Sequence, residues 1–120
     1  MATVLMVDDS RTSRKMLRAV LERGNFEIIG EAVNGEEGYI KYKELRPDLV
    51  TMDITMPIMD GIESLTLIKC INADAKVVMI SAAGQQEKMV DALKRGAAEF
   101  ITKPFDEIEI LSTLNKVVNQ

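Results

Sequence analysis

Short runs of apolar residues along the chain alternate with longer stretches in which apolar residues recur every three or four positions. Short runs rich in β-branched residues predict strands, and the longer pattern predicts amphipathic helices. The predicted strands are Thr3–Val7, Phe26–Ala32, Leu49–Met52, Val77–Ile80 and Glu99–Thr102. Five strands that alternate with five helices predict a parallel sheet with right-handed crossovers and helices on both faces.

The helices are delimited by capping residues and by glycine or proline. The first predicted helix follows Asp8-Asp9-Ser10 and ends at Gly24-Asn25, and the second runs from Asn34-Gly35 to just before Pro47. The third covers Gly61–Ile71, the fourth covers Gln85–Arg95, and the fifth starts at Asp106. Helical spacing predicts the inward-facing residues Met16, Leu17, Val20 and Leu21, then Tyr39, Tyr42 and Leu45, then Ile62, Leu65 and Ile68, and finally Ile108, Leu111, Leu114 and Val118. Met6, Met52 and Met79 are also expected in the core, as Met16 is.

A chain of 120 residues without an internal repeat or a Pro/Ser/Gly-rich linker predicts one domain, residues 1–120, with no further output domain. The single cysteine, Cys70, excludes an intrachain disulfide and fits a reducing compartment. The start of the chain lacks the pattern of a signal peptide, and its apolar runs are too short to span a bilayer. We therefore expect a cytoplasmic protein that does not enter membranes.

Two features of composition exclude whole classes of function. The 15 Lys and Arg residues against 19 Asp and Glu residues give a net charge of −4, which argues against binding to nucleic acid. The chain contains no histidine. This absence excludes Ser-His and Cys-His nucleophile pairs, His-ligated zinc, and a histidine that carries a phosphoryl group.

Chemically versatile residues follow four of the five strands. Asp8 and Asp9 follow the first strand, Asp53 the third, Ser81 the fourth and Lys103 the fifth. Singly, each is more often a cap, a turn residue or a solvated charge. Ligands of open parallel sheets bind beyond the carboxyl ends of the strands, so we expect these five side chains to converge.

The expected cluster has the composition of a phosphoryl-transfer site. Three adjacent carboxylates repel one another and need a cation, and an all-oxygen ligand set with few carboxylates favours Mg²⁺. Lys103 can then pair with an incoming phosphoryl group. Because carboxylates form aspartyl-phosphates, Asp53, which stands apart from the acidic pair, is the best candidate nucleophile.

Four segments resemble the receiver domains of two-component response regulators, in particular the stand-alone chemotaxis regulators. They are VLMVDDS (4–10), DLVTMDITMPIMDGI (48–62), VVMISAAGQQ (77–86) and GAAEFITKPF (96–105). The resemblance covers the whole chain. It implies a single flavodoxin-like (βα)5 doubly wound α/β domain with a five-stranded parallel sheet in the order 2-1-3-4-5.

The resemblance also assigns a role to each residue at the predicted site. It implies that Asp53 is the phosphoacceptor, converted to 4-aspartylphosphate, and that Asp9 binds Mg²⁺ directly while Asp8 binds it mostly through water. The backbone carbonyl of Thr55 completes the implied metal ligands, which include Asp53. Ser81 and Lys103 are each implied to bind one phosphoryl oxygen.

Further implied roles concern switching and lifetime. Ser81 and Phe100 form the implied switch pair, where threonine and tyrosine are common in the family. Thr55 and Ala83 occupy positions that tune the lifetime of the phosphoryl group. The Lys103-Pro104 peptide is implied to be cis. Gly38 stands where the family usually has alanine, and helix propensity alone makes this glycine cost about 1 kcal/mol.

The implied function is that of a monomeric regulator rather than an enzyme, since it catalyses only its own phosphorylation and dephosphorylation. A sensor histidine kinase, here a chemotaxis kinase, would donate the phosphoryl group. The implied effector is the flagellar motor switch protein or another protein that binds the face formed by the fourth helix, fifth strand and fifth helix. A phosphatase is a further possible partner.

Other functions remain open from the residues alone. The chain fits a phosphorelay intermediate or the excised receiver of a longer regulator. An Mg²⁺-dependent aspartyl-phosphate hydrolase of the haloacid-dehalogenase type would need an aspartate two residues after the nucleophile, where this chain has Thr55. A flavodoxin-like FMN carrier is disfavoured, because the acidic pair Asp8 and Asp9 would repel the FMN phosphate.

Overall fold

Five strands and five helices alternate along the chain in the computed structural model, which describes residues 1–120. The strands are β1 (Thr3–Val7), β2 (Glu27–Ala32), β3 (Leu49–Asp53), β4 (Val77–Ser81) and β5 (Glu99–Thr102). The helices are α1 (Arg11–Arg23), α2 (Gly35–Leu45), α3 (Gly61–Ile71), α4 (Gln86–Lys94) and α5 (Glu107–Val118). None of these helices has the length and apolar content that a membrane span requires.

The strands form one parallel sheet in the order β2-β1-β3-β4-β5. One face of the sheet packs on α1 and α5, with Leu21 and Leu114 fully buried there. The other face packs on α2, α3 and α4, with Leu65 and Ile68 fully buried. The predicted flavodoxin-like, doubly wound α/β fold is therefore confirmed, including its strand order.

Three of the predicted inward-facing residues, Ile108, Met16 and Leu45, are exposed, and those predictions are wrong. Ile108 is 81% exposed, because α5 buries the stripe Ile110, Leu114 and Val117 instead. At about 100° per residue, Ile108 lies roughly 160° around the helix from Ile110 and therefore faces solvent. Met16 is 54% exposed, since it lies at the edge of the stripe that α1 buries against the sheet.

Several boundaries differ by one residue from the sequence prediction. Asp53 and Ser81 are the last residues of β3 and β4 rather than the first residues after them. Phe26 is buried just before β2, and Gln85 precedes α4 rather than beginning it. Leu45, predicted to face inward, is 38% exposed at the end of α2.

Side-chain caps fix the start of every helix except α4. Ser10, Asn34, Asp60 and Asp106 each accept a hydrogen bond from a backbone N–H in the first turn of α1, α2, α3 and α5. At α4 the preceding residue is Gln85, and its side chain makes no such bond. The start of α4 is therefore held differently from the other four.

Two glycines allow helices to approach the sheet closely. A Cβ atom at Gly61 would lie 2.0 Å from the carbonyl oxygen of Asp53, so only glycine lets α3 start against the end of β3. A Cβ atom at Gly38 would lie 2.9 Å from Cγ1 of Val7. Gly38 is unfavourable for helix propensity, but its lack of a side chain allows α2 to approach β1 closely.

Candidate functional site at the carboxyl ends of the strands

Three carboxylates meet beyond the carboxyl ends of β1 and β3. One oxygen from each of Asp8, Asp9 and Asp53 lies within 4.8 Å of the others. Asp8 and Asp53 are largely buried, at 3% and 9% exposure, while Asp9 is exposed. The site is therefore a half-enclosed acidic cluster that opens to solvent on the side of Asp9.

Lys103 supplies a positive charge at this cluster. Its Nζ lies 3.2 Å from Oδ2 of Asp8 and 3.8 Å from Oδ1 of Asp53. The backbone positions the lysine, since Lys103 N–H donates a hydrogen bond to the carbonyl of Ser81 at 2.8 Å. The Lys103-Pro104 peptide is cis, as the resemblance implies. One ammonium against three carboxylates leaves the cluster with an excess of negative charge.

The environment of Asp53 reflects that excess. Burial, followed by the neighbouring charge of Asp8, raises the pKa of the Asp53 carboxyl to about 6, while the charge of Lys103 opposes the shift. A smaller contribution from Asp9 also raises this pKa. The ionised form of Asp53 is thus unfavourable until a further positive charge enters the cluster.

The ligand atoms around the cluster fit a hard divalent cation. Carboxylate oxygens of Asp8, Asp9 and Asp53 are the ligand type that Mg²⁺ prefers, and the open side leaves room for retained waters. The carbonyl of Thr55 accepts no hydrogen bond within the chain and remains free to bind a ligand. The acidic cluster can therefore hold a metal ion, and its chemistry suits Mg²⁺.

Ser81 reaches the same edge of the sheet but its hydroxyl is engaged elsewhere. The residue is fully buried, and its Oγ–H donates a hydrogen bond to Sδ of Met89 in α4 at 3.0 Å. No hydrogen bond joins Ser81 to the carboxylates. Met89 carries no sequence signal, because a methionine on a helix face is ordinarily a core residue.

Gln85 forms a second unanticipated connection. Its Nε2 donates a hydrogen bond to Oγ1 of Thr55, and its Oε1 accepts one from the Ala82 N–H, each at 2.7 Å. The carboxamide thus joins the loop after β3 to the loop after β4. A glutamine at a helix start, where Ser, Thr, Asp or Asn are preferred, is the only sequence signal for it.

Two other residues singled out from the sequence form no hydrogen bond with the carboxylates. Phe100 is half-buried on β5, where it neighbours Met79 of β4 and packs on the core beneath α2, α3 and α4. Ala83 is exposed in the loop between β4 and α4. Thr55 is also exposed, and its hydroxyl accepts a hydrogen bond from Gln85, which follows this loop.

The fold and the acidic edge together define a class of protein. The family model for the response regulator receiver domain matches residues 4–115, and the chain belongs to that family. The resemblance of the four sequence segments to receiver domains is thereby confirmed.

Within the family, the chain is similar to the chemotaxis protein CheY. It is 49% identical to CheY of Bacillus subtilis over 116 residues, which cover 97% of each chain. It is 48% identical to CheY of Thermotoga maritima over 114 residues, 95% of each chain. Its structure matches a chain of the CheX-CheY-BeF3-Mg²⁺ complex from Borrelia burgdorferi with a TM-score of 0.93 and 43% identity, over 97% of this chain and 88% of that one.

Proposed function

We propose that this chain is a chemotaxis response regulator that accepts a phosphoryl group on Asp53 from a sensor histidine kinase and then changes its affinity for a protein partner. The observation that carries the proposal is the pairing of an acidic cluster with Lys103 at the end of the sheet. A regulator of this kind catalyses only its own phosphorylation and dephosphorylation. It therefore needs no pocket for a small-molecule substrate beyond the phosphoryl donor.

In this proposal Asp8, Asp9, Asp53 and the carbonyl of Thr55 hold Mg²⁺. Bound there, Mg²⁺ supplies the positive charge that lets a dianionic phosphoryl group approach three carboxylates. The donor set, the free Thr55 carbonyl and the excess negative charge of the cluster support this assignment.

The proposed transfer starts with the ionised carboxylate of Asp53. One Oδ attacks phosphorus, the bond from phosphorus to the kinase imidazole nitrogen breaks, and the electron pair leaves with that nitrogen. Lys103, which now pairs with Asp8 and Asp53, then pairs with a phosphoryl oxygen, and Ser81 donates to another. The side chains of Thr55 and Ala83 carry neither acid nor amide, so neither strongly orients the water that would hydrolyse the product.

The proposed output leaves through the face formed by α4, β5 and α5. Phosphorylation adds about two negative charges at one edge of the sheet. When Ser81 turns from Met89 toward the phosphoryl group, Phe100 moves into the vacated space, and this surface changes. Val90 and Leu93 of α4 are 51% and 41% exposed and offer apolar contacts to a partner.

The proposed partners are those of bacterial chemotaxis. They are a chemotaxis histidine kinase, the flagellar motor switch protein or another effector, and a phosphatase. The similarity to CheY over nearly the full length of the Bacillus subtilis protein supports this set, as does the structural match to a CheX-CheY complex. We propose a monomer that acts in the cytoplasm.

Complementation tests the proposed role in chemotaxis. A Bacillus subtilis strain without its own CheY, expressing this chain, should regain chemotactic spreading in soft agar. The Asp53→Asn variant, expressed at the same level, should not. Restoration by both proteins, or by neither at verified expression, would contradict the proposal. A phosphorelay intermediate would instead pass its phosphoryl group to a second histidine protein and restore no spreading.

A further inference from the structure

The end of β4 presents two hydrogen-bond donors, and side chains at or in α4 occupy both. The Ser81 hydroxyl donates to Sδ of Met89, and the Ala82 N–H donates to Oε1 of Gln85. Gln85 and Met89 are four positions apart, which places them on the same side of the helix start. One short segment therefore satisfies both donors.

The backbone pattern of β4 shows which way the Ala82 N–H points. Ile54 N–H donates to the carbonyl of Ile80, so the backbone groups of Ile80 face β3. Lys103 N–H donates to the carbonyl of Ser81, so those of Ser81 face β5. Because successive residues of a parallel strand alternate between neighbours, the Ala82 N–H points to the β3 side, where Asp53 ends.

The loop between β4 and α4 depends on Gln85 for its position. The bond from Ala82 N–H to Gln85 is the only hydrogen bond that residues 82–84 make, and Gly84 adopts φ +87° with no atom within 4 Å of an added Cβ. Gln85 also fastens this loop to Thr55 across the edge of the sheet. Release of one carboxamide would therefore free the whole loop.

We propose that Gln85 is a positioning residue of the phosphoryl-acceptor site. Its carboxamide oxygen occupies the Ala82 N–H in the resting protein, and an oxygen of the group on Asp53 displaces it. Met89 does the same for the hydroxyl of Ser81. The inference rests on the proposed function, and it adds that phosphorylation exchanges these internal partners for phosphoryl oxygens and so loosens the start of α4.

Competition of this kind has a measurable sign. Binding of a phosphoryl group must break the bond to Gln85, so removal of the acceptor should strengthen binding of a phosphoryl analogue. Gln85 contacts no carboxylate of the acidic cluster, and it bonds the hydroxyl of Thr55 rather than the carbonyl proposed as a metal ligand. The affinity for Mg²⁺ alone should therefore not change. A merely structural role of Gln85 would weaken binding of the analogue or leave it unchanged.

The test uses fluoroberyllate as the phosphoryl analogue, titrated into the whole chain with saturating Mg²⁺ and followed by NMR. Gln85→Met keeps the length of the side chain but removes the amide oxygen. The loss of a competing hydrogen bond predicts about threefold to tenfold tighter fluoroberyllate binding with an unchanged Kd for Mg²⁺. Met89→Leu should shift the affinity in the same direction. Gln85→Glu keeps an acceptor for the Ala82 N–H and should not tighten binding.

The matched control is Gln86→Met, one residue along, where the side chain is exposed and makes no hydrogen bond. Its affinity should equal that of the wild type. Equal or weaker fluoroberyllate binding by Gln85→Met, equal tightening by Gln86→Met, or a changed Kd for Mg²⁺ would each overturn the proposal for Gln85. Failure of the wild type to bind fluoroberyllate with Mg²⁺ would instead overturn the proposed function.

Discussion

At Asp53, burial and two neighbouring carboxylates oppose ionisation of a group whose ionised form is the proposed nucleophile. The protein thus keeps a destabilising charge at its site, with Lys103 as the only cationic side chain that contacts it. Strain of this kind at a functional site costs stability that the rest of the fold must supply. Cation binding would relieve it, because a positive charge favours the ionised form.

Replacement of Asp53 by asparagine should stabilise the metal-free protein. The pKa of the Asp53 carboxyl rises from 3.8 to about 6 on folding. The wild-type folded state therefore loses stability as pH rises from about 4 through about 6. At about 1.4 kcal/mol per pKa unit, ionised Asp53 lowers the free energy of unfolding by about 3 kcal/mol at pH 7.5. Urea unfolding in chelator should show Asp53→Asn to be more stable at pH 7.5 and much less so at pH 4. An equal gain at both pH values would contradict this electrostatic origin.

Ile58 is a second strained residue, in the loop that follows Asp53. It adopts φ +70° at 80% exposure, and Met59 N–H closes a tight turn around it by donating to the carbonyl of Pro57 at 2.7 Å. A β-branched residue in this region is unfavourable by roughly 1–3 kcal/mol. Ile58→Gly should therefore raise the free energy of unfolding by about 1 kcal/mol, after allowance for the flexibility of glycine in the unfolded chain.

A matched substitution tests this explanation for Ile58. Val33→Gly also replaces an exposed β-branched loop residue, but Val33 does not have a positive φ. Chemical denaturation of Val33→Gly should show a loss of stability. A loss at both positions would mean that the turn at Ile58 is not strained.

Among the elements, α3 starts directly against the site, because Gly61 packs on the backbone of Asp53. Gly61 N–H donates to the carbonyl of Ile54 at 2.8 Å, and a Cβ atom would lie 2.0 Å from the Asp53 oxygen. Gly61→Ala must therefore displace either the helix or the end of β3. We expect a loss of more than about 2 kcal/mol in the free energy of unfolding and slower phosphorylation of Asp53.

Gly38→Ala provides the comparison for Gly61→Ala. At Gly38 the added Cβ would meet only side-chain atoms of Val7, at 2.9 and 3.0 Å, and alanine gains about 1 kcal/mol of helix propensity. Its stability should change by less than about 1 kcal/mol, with normal phosphorylation. The two variants can be compared by urea unfolding and by the rate of phosphorylation. Equal losses of stability for the two variants would show that the contact with the Asp53 backbone adds no cost beyond that of a side-chain contact.

Local pattern was sufficient to predict the elements, but not which face of each helix is buried. The apolar runs predict all five strands, and the placement of Asp8, Asp53 and Lys103 at strand ends predicts their convergence. Ile108 was misplaced because several registers of α5 satisfy helical spacing, and packing against the sheet selects one.

The sequence pattern predicts none of the contacts that Met89 and Gln85 make around β4. Met89 and Gln85 contact Ser81, Ala82 and Thr55 through geometry set by the loop between β4 and α4. Loop geometry depends on the conformation of single residues such as Gly84, which adopts a positive φ. Side-chain contacts across two loops are therefore visible only in the folded molecule.

Over the whole molecule, the site and the proposed output surface lie on the same half of the sheet. β3, β4 and β5 are neighbours, so Asp53, Ser81 and Phe100 lie on three consecutive strands. A charge added at Asp53 can thus change the conformation of the surface of α4 and β5 through Ser81 and its contact with Met89. This short route supports the proposed output through a changed surface.

The central claim is that Asp53 accepts a phosphoryl group in a Mg²⁺-dependent reaction. Intact-protein mass spectrometry after incubation with a small acyl phosphate measures it directly. We predict one added phosphoryl group in the wild type with Mg²⁺, and none in chelator or in Asp53→Asn. Full phosphorylation in chelator, or phosphorylation that persists in Asp53→Asn, would contradict the account.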